Sequence, residues 1–262
     1  MYFRCLSLLT AMGVSLFAAG RPVLPVLKVC ADPNNMPFSN QLGQGFENKL
    51  AELVAGELGA RLQYTWWPER KSSVEKSLGL GKCDVLLGVP AAMQSVITTR
   101  PYYQSTYVFV SRRDRNLHIS SLADPRLSDL RIGIQIVGDD YAPPAYALAR
   151  RGITRNVVGY SLFNDSEPNS QAKILNAVAG GDVDVAIVWG PSAGYFARSE
   201  TVPLDIEPIT PPAFFGVSFR YQIALAVRKE DNRLRDELDR VLEKDTGAIR
   251  RILNDYGVPQ VP

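Results

Sequence analysis

Histidine, cysteine and phosphate-binding glycine motifs are scarce in this 262-residue chain, which limits the chemistry it can perform. The single histidine, His118, stands in a polar stretch without a serine or cysteine nucleophile in a recognisable elbow, so we interpret it as solvated. Gly79–Lys82 ends a predicted helix instead of opening one, as a phosphate loop would. The acidic pair Asp139 and Asp140 lacks the spaced oxygen ligands of a calcium loop. We therefore predict no catalytic residues and no metal site.

Long apolar runs are also missing, except near the N-terminus. After Arg4 the chain is uncharged from Cys5 to Ala19, and the pattern of a basic start, an apolar core and small residues predicts a secretory signal cleaved after Gly20. The apolar core is shorter than the roughly 20 residues that span a bilayer, and no later stretch is long enough. Cys5 lies too near the start to be a lipidated cysteine. We expect a periplasmic protein without a membrane anchor.

An excess of one charge sign is the third missing feature. The chain carries 29 basic and 27 acidic side chains, for a net charge of +2, and the predicted signal removes only Arg4. This balance gives no reason to expect nucleic acid or an anionic membrane as a partner.

Two cysteines, Cys30 and Cys83, remain in the predicted mature chain, and an oxidising compartment permits a disulfide between them. In a parallel pairing of the strands around them they would be offset by about three residues, or ~10 Å. We therefore favour two buried thiols over a disulfide.

Short β-rich runs alternate with amphipathic segments, which predicts an α/β fold with parallel sheets. The pattern predicts two α/β lobes joined by a hinge that the chain crosses twice. One lobe comprises residues 21–110 and 221–262, because the C-terminal helices carry wide apolar faces that need the first half to pack on. The other comprises residues 111–220, after a signal segment of residues 1–20.

Four segments carry a resemblance to a known family: Val29–Asn40, Gly45–Ala51, Gly81–Pro90 and Thr98–Val110. They resemble the MoxJ/XoxJ proteins, which are relatives of the type II, family 3 solute-binding proteins. The resemblance implies a periplasmic-binding-protein fold of type II. It also implies an accessory factor that helps to assemble or activate a pyrroloquinoline-quinone (PQQ) methanol or alcohol dehydrogenase, with PQQ bound transiently if at all.

Ligands of open α/β sheets bind beyond the carboxyl ends of the strands, so the loops at these ends should face one cleft. Asparagines in these loops offer amide groups, although an Asx-type turn explains them equally well. One ring of the Trp66–Trp67 pair should face the core and the other the cleft or an interface. Arginines could hold a tricarboxylate, although exposure on the surface is the commoner role. The candidate cleft residues are Asp32, Asn34, Asn35, Phe38, Trp66, Trp67, Arg70, Pro90, Arg100, Tyr102, Asp139, Tyr141 and Trp189.

The amino-acid-binding members of this fold hold the carboxylate of the ligand with an arginine after the third strand and its ammonium with an aspartate in the second lobe. This sequence has Pro90–Met93 and Trp189 at those places. The departure argues against an amino-acid ligand. Trp189 suggests a flat or apolar ligand, a protein segment or a filled cleft.

Three functions remain open at this point. The first is the accessory role with the dehydrogenase as protein partner, and the second is a receptor that delivers a small non-amino-acid solute to an ABC transporter. The third, an enzyme, would need an acid–base pair in the cleft, for which Asp32 and Glu47 are the only candidates. We favour the first and expect no enzymatic activity.

Overall fold

A computed structural model describes residues 26–67, 73–138, 140–162 and 170–261. The predicted signal segment lies outside these residues. None of the described helices is long and apolar enough to cross a membrane.

The described residues form fifteen strands and seven helices. The strands are β1 Val26–Ala31, β2 Asn34–Asn35, β3 Ser39–Asn40, β4 Arg61–Trp66, β5 Val85–Pro90, β6 Ile97–Thr98, β7 Tyr103–Arg112, β8 Ile132–Val137, β9 Asp140–Tyr141, β10 Val157–Ser161, β11 Val185–Trp189, β12 Leu204–Pro208, β13 Ala213–Phe214, β14 Val217–Ser218 and β15 Arg220–Val227. The helices are α1 Phe46–Glu57, α2 Ser73–Lys76, α3 Pro143–Arg150, α4 Lys173–Gly180, α5 Gly190–Phe196, α6 Asn232–Lys244 and α7 Thr246–Asp255.

One hydrogen-bonded sheet runs through both halves of the described chain, in the order β10-β8-β11-β7-β15-β5-β1-β4. β1 pairs in parallel with β4 and β5, and β8 pairs in parallel with β10 and β11. Each half therefore repeats the same arrangement, with its earliest long strand between the next two. We call the half built on β1, β4 and β5 the first lobe and the half built on β8, β10 and β11 the second lobe.

Each lobe has its own hydrophobic core. Helices α1, α6 and α7 bury apolar side chains such as Leu50, Leu238 and Leu253 in the first lobe, as the sequence predicts for the C-terminal helices. Helix α6 begins where the Asp231 side chain accepts the Leu234 N–H at 3.3 Å. The second lobe has buried side chains on both faces of its sheet, since β11 is an apolar run between α3 on one face and α4 on the other.

The chain crosses between the lobes in two strands, β7 and β15. β7 pairs with β15 through Thr106 and with β11 from Tyr107 onward. β15 pairs with β7 up to Ile223 and with β5 from there. Each of these two strands therefore has one part in the first lobe and one part in the second. The lobe boundaries at residues 110 and 220 stay predictions.

The expectation of two free thiols is wrong, because Cys30 and Cys83 form a disulfide with 5.5 Å between their Cα atoms. The strand register is the expected one, since Cys30 lies opposite Leu86, three residues beyond Cys83. The segment before β5 is not extended, however. The Lys82 N–H donates to the Ser77 carbonyl at 3.0 Å, and this turn brings Cys83 back beneath Cys30. The ~10 Å estimate assumed an extended chain at this point.

Four strands of the second lobe are not predicted by the sequence: β9, which pairs antiparallel with β8, and β12, β13 and β14. β12 pairs antiparallel with β7, and β13 and β14 form a hairpin. Four prolines, Pro203, Pro208, Pro211 and Pro212, interrupt this region, and proline lacks the N–H that a strand needs for pairing. Helix α2 is limited in the described chain to Ser73–Lys76.

Candidate functional site

A cleft of about 390 Å³ lies between the lobes at the carboxyl ends of their strands. Both lobes contribute to it, as expected for this type of sheet. Its described lining consists of Asn35, Phe38, Glu47, Gly88, Pro90, Tyr103, Tyr107, Gln135, Val137, Pro143, Leu162, Gln171, Trp189, Ser192, Tyr221 and Ile223.

The first-lobe wall begins with the loop after β1. The Asp32 carboxylate accepts the Asn34 N–H at 2.7 Å, so Asp32 closes an Asx-type turn. The Phe38 ring lies 5.2 Å from the Phe46 ring, between the cleft and the core. The turn thus directs Asn35 and Phe38, and not Asp32, into the cleft lining.

Glu47 forms the floor of the cleft beside Gly88. Gly88 adopts φ +75°, and a Cβ atom there would lie 2.3 Å from Glu47 Oε1, so no larger residue fits without moving the carboxylate. Glu47 is 7% exposed and already takes part in an interaction of its own. The carboxylate is therefore held within the protein and is not displayed to solvent.

The second-lobe wall centres on Gln135 and Trp189. The Trp189 N–H donates to Gln135 Oε1 at 2.8 Å, at the end of β11. Gln135 is 1% exposed, and its Nε2 has no acceptor among the described residues. The wall therefore contains a fixed amide whose NH2 group, with two N–H donors, meets no acceptor among the described residues.

Aromatic rings close the cleft toward the hinge. The Trp189 ring lies 5.3 Å from that of Tyr107 and 6.0 Å from that of Tyr221. Burial raises the pKa of Tyr107 far above its usual range, with a smaller contribution from Tyr221. Burial also raises the pKa of Tyr221. Both phenols are therefore neutral at physiological pH.

Within the lining of the cleft, a chain of buried hydrogen bonds joins the lobes. Gln171 Nε2 donates to Asn35 Oδ1 of the first lobe, and Ser192 Oγ donates to Gln171 Oε1 at 2.5 Å. All three side chains are at most 4% exposed. Met36, next to Asn35, is buried in the core of the second lobe. We call these four residues the interlobe latch.

Further along the same side, α5 packs tightly on the C-terminal segment. A Cβ atom at Gly194 would lie 1.9 Å from the Gly257 carbonyl oxygen, so the two backbones are in direct contact. The Tyr195 and Tyr256 rings stack at 5.8 Å. Arg198 Nη1 donates to the Asp255 carbonyl at 2.8 Å. The lobes are thus held together by close packing as well as by the latch.

The candidate residues from the sequence divide into three groups. Asn35, Phe38, Pro90 and Trp189 line the cleft. Arg70 and Asp139 lie outside the described residues. The described lining does not include Asp32, Asn34, Trp66, Trp67, Arg100, Tyr102 and Tyr141.

Trp66 and Trp67 are not part of the described cleft lining, and they lie at the end of the edge strand β4. Both side chains are half-buried there, and the expectation that one of them faces the core stays a prediction. The Trp66 ring stacks on Tyr64 at 4.6 Å. The Trp67 ring lies 3.8 Å below the Lys82 ammonium, a cation–π contact.

Arg100 and Tyr102 lie on the outer side of the first lobe. The Arg100 guanidinium pairs with Glu243 of α6 at 3.2 Å, and Tyr102 lines a separate depression there with Leu242 and Ile249. Tyr141, in the short strand β9, is 50% exposed on the second lobe.

The described cleft does not match the chemistry of PQQ. A tricarboxylate requires arginine or lysine side chains, and the only charged side chain in the described lining is the carboxylate of Glu47. The described residues also contain no cluster of three side chains that could hold a metal ion.

Sequence reasoning overlooked Gln135, Gln171 and Ser192. Each of the three lies in a different segment of the chain, and no sequence motif links any of them to Asn35. Only the position of Gln135 near the end of a predicted strand, where ligands bind, could have indicated its role.

Two lobes with the same strand arrangement, joined by two strands around a ligand-sized cleft, define a type II periplasmic-binding-protein fold. Residues 27–258 match the bacterial extracellular solute-binding proteins, family 3. Protein MoxJ of Methylorubrum extorquens is 32% identical over 259 residues, covering 93% of this chain and 84% of that protein.

Two solved structures are similar over nearly the whole chain. MxaJ from Methlophaga aminisulfidivorans MPT superposes with a TM-score of 0.79 at 28% identity, over 90% of this chain and all of that one. XoxJ from Methylobacterium extorquens AM1 gives a TM-score of 0.72 at 33% identity, over 90% of this chain and 99% of that one. The protein belongs to the family 3 solute-binding proteins and, within them, to the MoxJ/XoxJ family.

Proposed function

We propose that the protein is a non-enzymatic periplasmic accessory factor that assists the assembly or activation of a PQQ-dependent methanol or alcohol dehydrogenase by direct contact. Membership of the MoxJ/XoxJ family supports this role, and the missing amino-acid ligand groups at Pro90 and Trp189 agree with it.

The interlobe latch is the observation that carries the proposal. A solute receptor signals its ligand by closing around it, so that ligand contacts supply the closing energy. Here Asn35, Gln171 and Ser192 connect the lobes through bonds within the protein. Closure of this kind does not require a ligand, and it presents a constant surface to a protein partner.

The test is a binding experiment between the purified mature protein and the quinoprotein dehydrogenase of the same cell, in its apo and PQQ-loaded forms. We expect saturable association with the apo-dehydrogenase, measured by pull-down and calorimetry. PQQ alone should give no heat with this protein. Failure of both dehydrogenase forms to associate would contradict the accessory role.

Two variants examine whether the fixed arrangement of the lobes matters for this association. Gln171→Leu removes the centre of the latch and should weaken binding to the apo-dehydrogenase. Glu243→Gln removes one exposed ion pair on the outer face of α6 and serves as the matched control, with unchanged binding expected.

The second candidate is a receptor that delivers a small non-amino-acid solute to an ABC transporter. The cleft favours it, since 390 Å³ lies within the range of about 300–1,000 Å³ typical of small-molecule sites. Saturable binding of a solute, together with a decrease in the radius of gyration in solution scattering and no binding of the dehydrogenase, would support the receptor instead.

A further inference from the structure

The cleft contains a hydrogen-bond donor for which the described protein supplies no acceptor. The bond from Trp189 N–H to Gln135 Oε1 identifies the oxygen end of the amide, so Nε2 is the donor end. Nε2 is buried and unpartnered among the described residues. A buried donor without an acceptor costs about 1–3 kcal/mol. An acceptor atom brought in by a ligand would offset that cost.

The cleft lining around this donor is rich in aromatic side chains. Phe38, Tyr103, Tyr107, Trp189 and Tyr221 line the cleft with aromatic rings. Aromatic rings stack on planar partners in offset or edge-to-face arrangements, which adds to the energy of burying apolar surface. The walls therefore suit a planar apolar molecule.

The charges of the described lining argue against a charged ligand. Glu47 is the only charged side chain in the described lining, and it is 7% exposed. A charged group that leaves water without an opposite charge to meet loses several kcal/mol of hydration, by order of magnitude. An uncharged molecule avoids this loss.

We propose that the cleft binds a small uncharged molecule with a planar apolar body and a carbonyl-type oxygen, and that Gln135 Nε2 donates a hydrogen bond to that oxygen. The inference concerns the cleft alone. It holds whether the bound molecule is passed to a permease or accompanies contact with a dehydrogenase, and its test uses no partner protein.

The test compares four probes of similar shape on the purified full-length mature protein. Acetophenone has a neutral carbonyl, ethylbenzene has no acceptor, benzoate is an anion and benzylammonium is a cation. Trp189 lies in the cleft, so binding is followed by tryptophan fluorescence and by ligand-observed NMR. We expect acetophenone to bind saturably and at least 10-fold more tightly than each of the other three.

The variant Gln135→Met removes the Nε2 donor, together with the Oε1 acceptor of the Trp189 N–H, because methionine has a similar length and no amide group. In this variant, acetophenone should lose its advantage over ethylbenzene, while ethylbenzene itself binds as before. Because the affinities for acetophenone and ethylbenzene are compared within the same protein, a small difference in folding stability between the variant and the natural protein does not change their ratio. If the variant fails to fold, as judged by circular dichroism, the probe ranking on the natural protein still decides the proposal.

Several results would overturn the proposal. They are tighter binding of benzoate or benzylammonium than of acetophenone, equal binding of acetophenone and ethylbenzene to the natural protein, and no binding of any probe. An unchanged preference for acetophenone in Gln135→Met would also overturn it.

Discussion

The two sides of the boundary between the lobes are built differently. On the latch side, Met36 enters the second-lobe core, Gln171 connects Asn35 with Ser192, and the backbones of Gly194 and Gly257 touch. The cleft of about 390 Å³ is lined mainly by aromatic and polar side chains, which include Glu47 and three of the latch residues, Asn35, Gln171 and Ser192. Contacts within the protein thus set the position of the lobes, and the cleft does not have to supply closing energy.

The largest expected effect concerns the stability of the first lobe alone, and not the contacts between the two lobes. Replacing both disulfide cysteines, by Cys30→Ala with Cys83→Ala, opens a loop with a sequence separation of 53 residues in the first lobe. The free energy of unfolding should decrease by about 4 kcal/mol, as the loop length implies. Urea unfolding measures this loss, and scattering should show an unchanged lobe arrangement below the transition.

A loss of less than about 1 kcal/mol in the double variant would mean that the crosslink contributes little to the stability of this region. In that case the first lobe would not be stabilised by its disulfide, and it would not differ in this respect from the boundary between the lobes.

The next largest effect should come from the contact of α5 with the C-terminal segment. Gly194→Ala places a methyl group against the Gly257 carbonyl, so the lobes must separate or the backbone must shift. We expect a loss of about 3 kcal/mol in the free energy of unfolding, at the upper end for overpacking. Gly56→Ala in α1 is the control, because its Cβ meets no atom within 4 Å.

Thermal unfolding compares the two glycine variants. Gly56→Ala should be neutral or stabilise by about 0.5–1 kcal/mol, since alanine is the better helix former. Equal melting temperatures for the two variants would show that α5 and the C-terminal segment are not in close contact in solution.

The smallest of the three effects should follow from loss of the latch. Gln171→Leu leaves Asn35 Oδ1 and Ser192 Oγ without the partner they have now, which should cost about 2 kcal/mol. The radius of gyration should increase as the lobes open. Gln63→Leu on the exposed side of β4 is the control and should change stability by less than about 0.5 kcal/mol. A latch variant as compact and stable as this control would disprove the latch.

The long elements could be predicted from the sequence because their patterns are local. The alternation of short β-rich runs with amphipathic segments predicted an α/β fold with parallel pairing, which both lobes have. The packing of the last two helices on the first lobe followed from the width of their apolar faces. Such inferences need only the periodicity of one segment.

The disulfide and the latch could not be predicted in the same way, because each depends on backbone geometry between elements. Cys83 reaches Cys30 through a turn that no spacing reveals. Gln171 meets Asn35 although 136 residues separate them in the sequence. Arg100 looked like a ligand group and instead pairs with Glu243, since α6 returns to the first lobe.

The continuous sheet has a mechanical consequence. Because β7 and β15 cross the boundary as paired strands and not as loops, any rotation of one lobe against the other must twist a hydrogen-bonded ribbon between Tyr103–Thr106 and Arg220–Ile223. Movement of the second lobe is therefore resisted by deformation of paired strands rather than by loop entropy alone.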